Sequence, residues 1–260
     1  MKLYIVSDIH GFADEMQAAL DKAGFEANND GHLLISCGDM FDRGNQPYEA
    51  MQYFNSITNK VLVRGNHEDL LIECIERRYC LGHDIQNGTA DTVMDLADAM
   101  FGYNKNRPFD VACELIENTV KNFIDQTVNY FETENYIFVH SWVPLVRLDD
   151  MPKHYTKGRV FAKMDDWRNA SDTEWESARW GNPFDLAKRG LLPDKTLVFG
   201  HWHTSWPRHH WKWSDDAEAE WGNGADFSPY YGNGYIGLDA CTAHSGNVNV
   251  VVLEDTLLEE

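Results

Sequence analysis

Positive charge is scarce in this chain. Twenty-two lysines and arginines stand against 42 aspartates and glutamates in 260 residues, a formal net charge of -20. That excludes a protein that grips a nucleic-acid polymer through a broad basic surface. Cysteine is sparse too: five residues, an odd number, with no CxxC pair. A disulfide framework or a thiolate zinc site is excluded, and a reducing compartment is implied. Long apolar runs are missing. The N-terminal one is stopped by Asp8, too short for a signal peptide or a membrane span, so the expectation is a cytoplasmic protein without a membrane partner. No Gly/Ser linker, low-complexity tract or internal repeat divides the chain, which reads as a single domain over 1–260. What remains, 43% hydrophobic and 25% charged, is the make-up of an ordinary globular protein.

The informative signal is a set of short apolar runs that end in glycine and polar side chains. The run at 33–37 opens into Gly38-Asp39-Met40-Phe41-Asp42-Arg43-Gly44. A strand end that becomes a glycine-bounded loop is where an α/β sheet presents its chemistry. Two carboxylates and a guanidinium within five residues need metal or opposite charge if buried. The reading is that Asp39 bridges two metal ions, while Asp42 and Arg43 serve a catalytic acid and a phosphate. An acidic surface turn with a local Asp–Arg pair is the alternative.

Two more runs follow the same pattern. Leu3-Tyr4-Ile5-Val6 ends in Ser7-Asp8-Ile9-His10-Gly11. Asp8 and His10, two apart, fall on one side of an extended backbone and make half of a metal site. Lys60-Val61-Leu62-Val63 ends in Arg64-Gly65-Asn66-His67-Glu68, where Asn66 offers a neutral oxygen and His67 an imidazole. Asn66 also reads as a helix cap. Helices are expected over 12–24 and 47–56, the first stopped by Gly24.

These three blocks together resemble the signature of the calcineurin-like metallophosphoesterases. The Asp42-Arg43-Gly44 ending resembles the phosphoprotein-phosphatase branch, which includes serine/threonine phosphatases and symmetrical dinucleoside tetraphosphatases. The resemblance implies a four-layer α/β/β/α sandwich, two mixed sheets flanked by helices. Residues of about 68–131 recur at helical spacing and read as a helical insertion whose apolar stripe is core. Tyr136-Ile137-Phe138-Val139 ends at His140-Ser141, and Thr196-Leu197-Val198-Phe199 ends at Gly200-His201-Trp202-His203. His140 and His201 match later metal-binding histidines of the family. The phosphoprotein phosphatases usually keep only the first histidine of the Gly-His-x-His pair, so His203 is an extra ligand in this reading. Residues 142–193 read as irregular. The family's second phosphate-binding arginine falls there, and Arg179 is the candidate, with Arg159 as rival.

An aromatic-rich loop covers about 204–234, read as a self-packed mini-core. Within it His209-His210 beside Asp215-Asp216 makes no more than an adventitious metal site. Residues 235–239 and 248–253 read as a closing hairpin, with His244 in place of the aromatic residue that the family sets over its site.

The implied chemistry is phosphoester hydrolysis with two divalent metal ions, manganese first and iron or zinc as alternatives. Asp8, His10, Asp39 and His203 serve one metal; Asp39, Asn66, His140 and His201 serve the other. A hydroxide bridging both is the expected nucleophile. His67 is the general acid, oriented by Asp42, and Arg43, Asn66 and Arg179 bind substrate. The partner is a phosphorylated substrate. A phosphomonoesterase of the serine/threonine phosphatase type is the leading reading. A dinucleoside polyphosphate hydrolase or phosphodiesterase is the alternative, and a non-catalytic scaffold of the same fold is a remote one.

Overall fold

A computed structural model describes residues 1–148, 161–212 and 218–258. Arg159, Trp213, Asp215 and Asp216 lie outside the described residues. The chain begins β1 (Lys2–Val6), α1 (Ala13–Ala23), β2 (His32–Ser36), α2 (Pro47–Ser56), β3 (Lys60–Leu62). Four helices follow: α3 (Asn66–Arg77), α4 (Gly82–Asn87), α5 (Thr89–Phe101) and α6 (Phe109–Ile124). Then come β4 (Phe131–Glu132), β5 (Tyr136–Phe138), β6 (Leu145–Arg147), β7 (Phe161–Lys163), α7 (Asp172–Ala178) and α8 (Pro183–Lys188). The described chain closes with β8 (Thr196–Phe199), α9 (Ser205–His210), β9 (Tyr230–Gly232), β10 (Tyr235–Gly237), α10 (Thr242–Ser245) and β11 (Val251–Glu254).

Two mixed sheets form, ordered β11-β1-β2-β3 and β4-β5-β8-β10-β9, with β6 and β7 as a separate ribbon. In each sheet three consecutive strands run parallel; β11 is antiparallel at one edge of the first sheet, and β4 and β9 are antiparallel at both edges of the second. The layering follows from side-chain alternation. Leu3 and Ile5 of β1 point into a cluster shared with Phe138, Val198 and Ile236 of the other sheet. Their neighbours Tyr4 and Val6 point the other way, into a cluster built with the helices between 13 and 124. Ile137, Leu197 and Phe199 do the same on the far side, against Trp142, Trp167, Trp175 and Phe184. Helices, sheet, sheet and helices are thus stacked around three apolar layers, the expected sandwich. Among the described residues no helix is long and apolar enough to cross a membrane.

Three expectations are corrected. Residues 235–239 and 248–253 do not form a hairpin. β10 stays in the second sheet beside β8 and β9, while β11 crosses to the edge of β1 in the first. Asn249 ties that crossing down by donating to the Leu238 and Phe227 carbonyls. Nor is 142–193 irregular throughout. Glu174 reaches back to the Ser171 amide and hydroxyl at 2.7 Å, a capping box that starts α7. Asn182 caps α8, which has proline in its first turn. The aromatic loop, finally, is not self-contained: Trp206, Trp211 and Tyr230 close around Phe184 in the outer core.

The loops at the strand ends are fixed by α3. Glu68, fully buried, accepts the amides of Asp39 at 3.0 Å, Met40 at 2.8 Å and Gly65 at 2.7 Å. Gly65 is required at this crossing, because a Cβ there would lie 2.2 Å from Asp39 Oδ1. Two stability measurements check this architecture. Phe184→Ala leaves a void among five aromatic rings and should cost about 3–5 kcal/mol in urea unfolding. Glu68→Ala strands three buried amides and should cost at least about 2 kcal/mol in the same assay.

Candidate metal centre

Asp39, almost fully buried, is the hub. Its Oδ1 accepts the His67 amide at 3.0 Å, and His140 Nε2 lies 3.3 Å from the same oxygen. Its Oδ2 faces His10 Nε2 at 3.8 Å and His67 Nε2 at 3.9 Å. Two groups with metal-ligand spacing share this carboxylate: His10, Asp39 and His67, and Asp39, His140 and His201. Segments after β1, β2, β3, β5 and β8 supply these residues, so the strand-end pattern in the sequence does converge.

Ring orientation is set by backbone carbonyls. His10 Nδ1 bonds to Phe41 O at 2.9 Å and His140 Nδ1 to Cys37 O at 2.8 Å. A neutral ring that donates from Nδ1 keeps a lone pair on Nε2. For His140 that lone pair faces Asn66 Oδ1 at 2.8 Å and Asp39 Oδ1, both acceptors. Acceptors facing one another without a proton repel, and a shared cation turns the repulsion into ligation. The donor set therefore fits a divalent metal.

Charge balance points the same way. Burial pushes Asp8 well above the usual carboxylate range, with Asp239 and Asp39 adding to it. Burial also lifts Glu68 to about 7 and Asp239 to about 6. For Asp39 burial acts upward as well, but the imidazoles of His140, His67 and His10 outweigh it and hold the acid ionised. Burial lowers His10 and His140 and takes His201 to about 3. Acids that burial raises, beside the His10, His140 and His201 rings that burial lowers, mark a pocket short of positive charge.

The residues named from the sequence that the structure describes have definite positions. Asp42 Oδ2 accepts from His67 Nδ1 at 2.7 Å and from the Thr89 hydroxyl at 2.6 Å. Burial disfavours charge on His67, yet Asp39 and the bond to Asp42 raise its pKa overall. The Arg43 guanidinium bridges His10 Nε2 and His67 Nε2. Asp8 sits at the rim, both oxygens within 3.0 Å of the His201 amide. Gly200 leaves room for that contact, since a Cβ there would meet Asp8 Oδ2 at 1.9 Å. Arg179 stands outside the cluster, bonded to Asp69 Oδ2 at 2.8 Å and to Asn129, and lines a cavity of about 800 Å³ with Arg64 and Tyr130.

His203 is not brought to the cluster. Its Nδ1 bonds to Ser205 Oγ at 2.8 Å, its Nε2 faces Glu220, and its ring packs on Trp221. The cause is local: His201 is left-handed, with φ 64°, so side chains two apart no longer share a side. His244 packs on Trp221 and Phe227. Two buried acids were missed in sequence. Glu68 has no signal of its own within the Arg64–Glu68 block. Asp239 ends an apolar strand just as Asp8 does, and that repeat was the signal for it.

Backbone strain concentrates here. Eight described non-glycine residues have positive φ: Asp8, His10, Asp39, Asp42, Arg43 and His201, then Cys241 beside Asp239, and Arg78. Such residues cost of order 1–3 kcal/mol each and collect at functional sites.

Known proteins resemble this chain. Bis(5'-nucleosyl)-tetraphosphatase PrpE [asymmetrical] of Bacillus subtilis is 27% identical over 222 residues, 78% of this chain and 80% of the relative. A symmetrical bis(5'-nucleosyl)-tetraphosphatase of Buchnera aphidicola is 37% identical over 73 residues, 28% of this chain. That match spans only 26% of the relative's length. A solved putative diadenosine tetraphosphatase superposes with a TM-score of 0.53 at 15% identity, covering 97% of this chain and 89% of that one, a likeness of fold. Residues 1–236 match the family described as calcineurin-like phosphoesterase. Its members are metal-dependent phosphoester hydrolases with two-metal centres, and this chain belongs to that family.

Proposed function

We propose that this chain hydrolyses phosphate monoesters at two divalent cations held around Asp39. The observation that carries the reading is the divided carboxylate: Oδ1 faces His140, and Oδ2 faces His10 and His67. Asp8, His10 and Asp39 would hold one cation; Asp39, Asn66, His140 and His201 would hold the other. Manganese is the first choice, and iron or zinc also suits mixed nitrogen and oxygen donors. Two such ions supply charge for the phosphoryl oxygens and acidify a coordinated water.

The remaining work belongs to side chains. Asp42 fixes the His67 ring through Nδ1 and leaves Nε2 facing the cluster. From there His67 gives a proton to the leaving oxygen as general acid. Arg43 reaches the same space with a planar donor fork suited to phosphate. Asn66 is a second contact for substrate oxygen. Arg179 is held by Asp69, so its part is to supply positive charge behind α3 and steer the phosphate. The five cysteines are free, which accords with a cytoplasmic setting.

A second reading takes a dinucleoside polyphosphate as substrate. Trp180 favours it: its ring lies edge-on to His201 at 6.3 Å and lines an apolar cavity of about 460 Å³ with Trp142 and Met164. An aromatic wall beside a phosphate site suits a nucleobase. The named relatives add to this. Turnover of 4-nitrophenyl phosphate, its bis-ester, a phosphopeptide and diadenosine tetraphosphate, each with added manganese, iron or zinc, separates the two. No turnover of any of them would remove both.

Two substitutions test the centre itself. Asp39→Asn keeps an oxygen for the His67 amide, so circular dichroism should be unchanged while bound metal falls from two per chain to one or none. His67→Asn should lower kcat about 10²–10⁴-fold with metal content retained. Wild-type turnover in that variant would remove the general-acid role.

A further inference from the structure

Outside the centre, the described residues hold one more group with metal-ligand spacing: His209, His210 and Glu220, with ligand atoms within 4.8 Å of one another. His209 and His210 end α9, and Glu220 lies across from them. The acids that the sequence set beside these histidines, Asp215 and Asp216, are outside the described residues.

The hydrogen bonding turns the ligand atoms toward one another. His209 Nδ1 bonds to the Glu218 carbonyl at 2.8 Å, so its Nε2 is the free nitrogen. A metal-bound imidazole is commonly held by such a carbonyl contact. His210 Nε2 lies 3.1 Å from Glu220 Oε2, and His203 Nε2 lies 3.6 Å from Oε1. Ser205 settles the His203 tautomer. Its hydroxyl proton goes to the Glu220 carbonyl at 2.8 Å, so its oxygen must accept from His203 Nδ1. The Nε2 of a neutral His203 then directs a lone pair at a carboxylate oxygen, beyond ordinary hydrogen-bond length.

Spacing and support suit a small transition ion. Two ligands each about 2.0–2.1 Å from a tetrahedral zinc lie about 3.3 Å apart, between the two separations. Arg208 and Lys212 neutralise Glu218, and Arg208 also pairs Asp226. The ion partners of Glu220 among the described residues are imidazoles. Trp206 packs on the His210 ring and Trp221 on the His203 ring, which limits their motion. The His210 side chain is 42% exposed, so an ion and its remaining water can enter.

We propose that His209, His210 and Glu220, with His203 on the second carboxylate oxygen, form a separate site for one divalent transition ion of the zinc, cobalt or nickel class. Occupied, it pins α9 to the segment carrying Trp221 and so stiffens the aromatic loop beside the catalytic centre. It is independent of the phosphoesterase reading and is tested without turnover.

Zinc and cobalt are titrated into the Asp39→Asn chain, whose main centre is impaired, with calorimetry and elemental analysis after dialysis. The result expected is one more zinc per chain than in Asp39→Asn carrying His210→Ala and Glu220→Gln. Each of those two changes alone should weaken binding at least 10-fold. Cobalt should give visible absorption of tetrahedral strength that both changes abolish. In the wild-type Asp39 background, His210→Ala and Glu220→Gln should leave the main centre's metal count unchanged. Both side chains are partly exposed, and circular dichroism checks their fold. Equal zinc with and without the two changes would overturn the proposal, as would no zinc in the Asp39→Asn chain.

Discussion

One carboxylate ties the molecule's two halves of work together. Asp39 accepts the amide of His67, the second residue of α3. Gly65 occupies the cap position there and has no side chain to do the capping, so an acid from the β2 loop serves instead. The helix N-terminus, with its unpaired amides and positive end of dipole, favours that negative charge. Glu68 returns the contact by clamping the β2 loop from the helix. The donor geometry around Asp39 is consequently tied to the packing of α3 against the β2 loop.

The same arrangement explains how so acidic a chain can receive a phosphate. Its acids are concentrated inside as well as outside: Asp8, Asp39, Asp42, Glu68 and Asp239 are all buried near one point. Arg43 is the cation among them, already engaged by two imidazoles. A site deficient in positive charge binds divalent cations strongly, and bound cations reverse the local field. The rest of the chain's negative charge then acts at longer range and is screened by salt, whereas the reacting phosphate meets the ions at contact distance.

Much of this was legible because strand ends are written plainly in the sequence. Short β-branched runs bounded by glycine located β1, β2, β3, β5 and β8, and the polar residues after them met where α/β sheets usually bring them. What stayed hidden depended on partners distant in the chain. β11 reads like the return strand of β10, but strand pairing is decided by which edge is free, and the free edge was on β1. Glu68 carries no local signal of its task, because its role comes from amides 28 and 29 residues earlier. Asp239 lacked a histidine two residues on and so lacked the pattern that marked Asp8. The caps of α7 and α8 are short local signals, and the tryptophans around them, Trp167 and Trp175, belong to a buried outer core.

The misreading of His203 has a more general cause. The period-two rule places residues i and i+2 on one side only while the backbone stays extended. Here the residues that follow the strands leave that region at once: Asp8, His10, Asp39 and His201 are all left-handed. Each such residue turns the chain by more than a pleat, so the next side chains fan out. Asp8 ends against the His201 amide while His10 turns to Arg43, and His201 enters the cluster while His203 turns to Glu220. The conformations that let five segments crowd around one aspartate are thus the ones that break the sequence rule used to find them. A ligand pair at i and i+2 marks a strand end; how each member is aimed is decided by the left-handed residues that follow the strand.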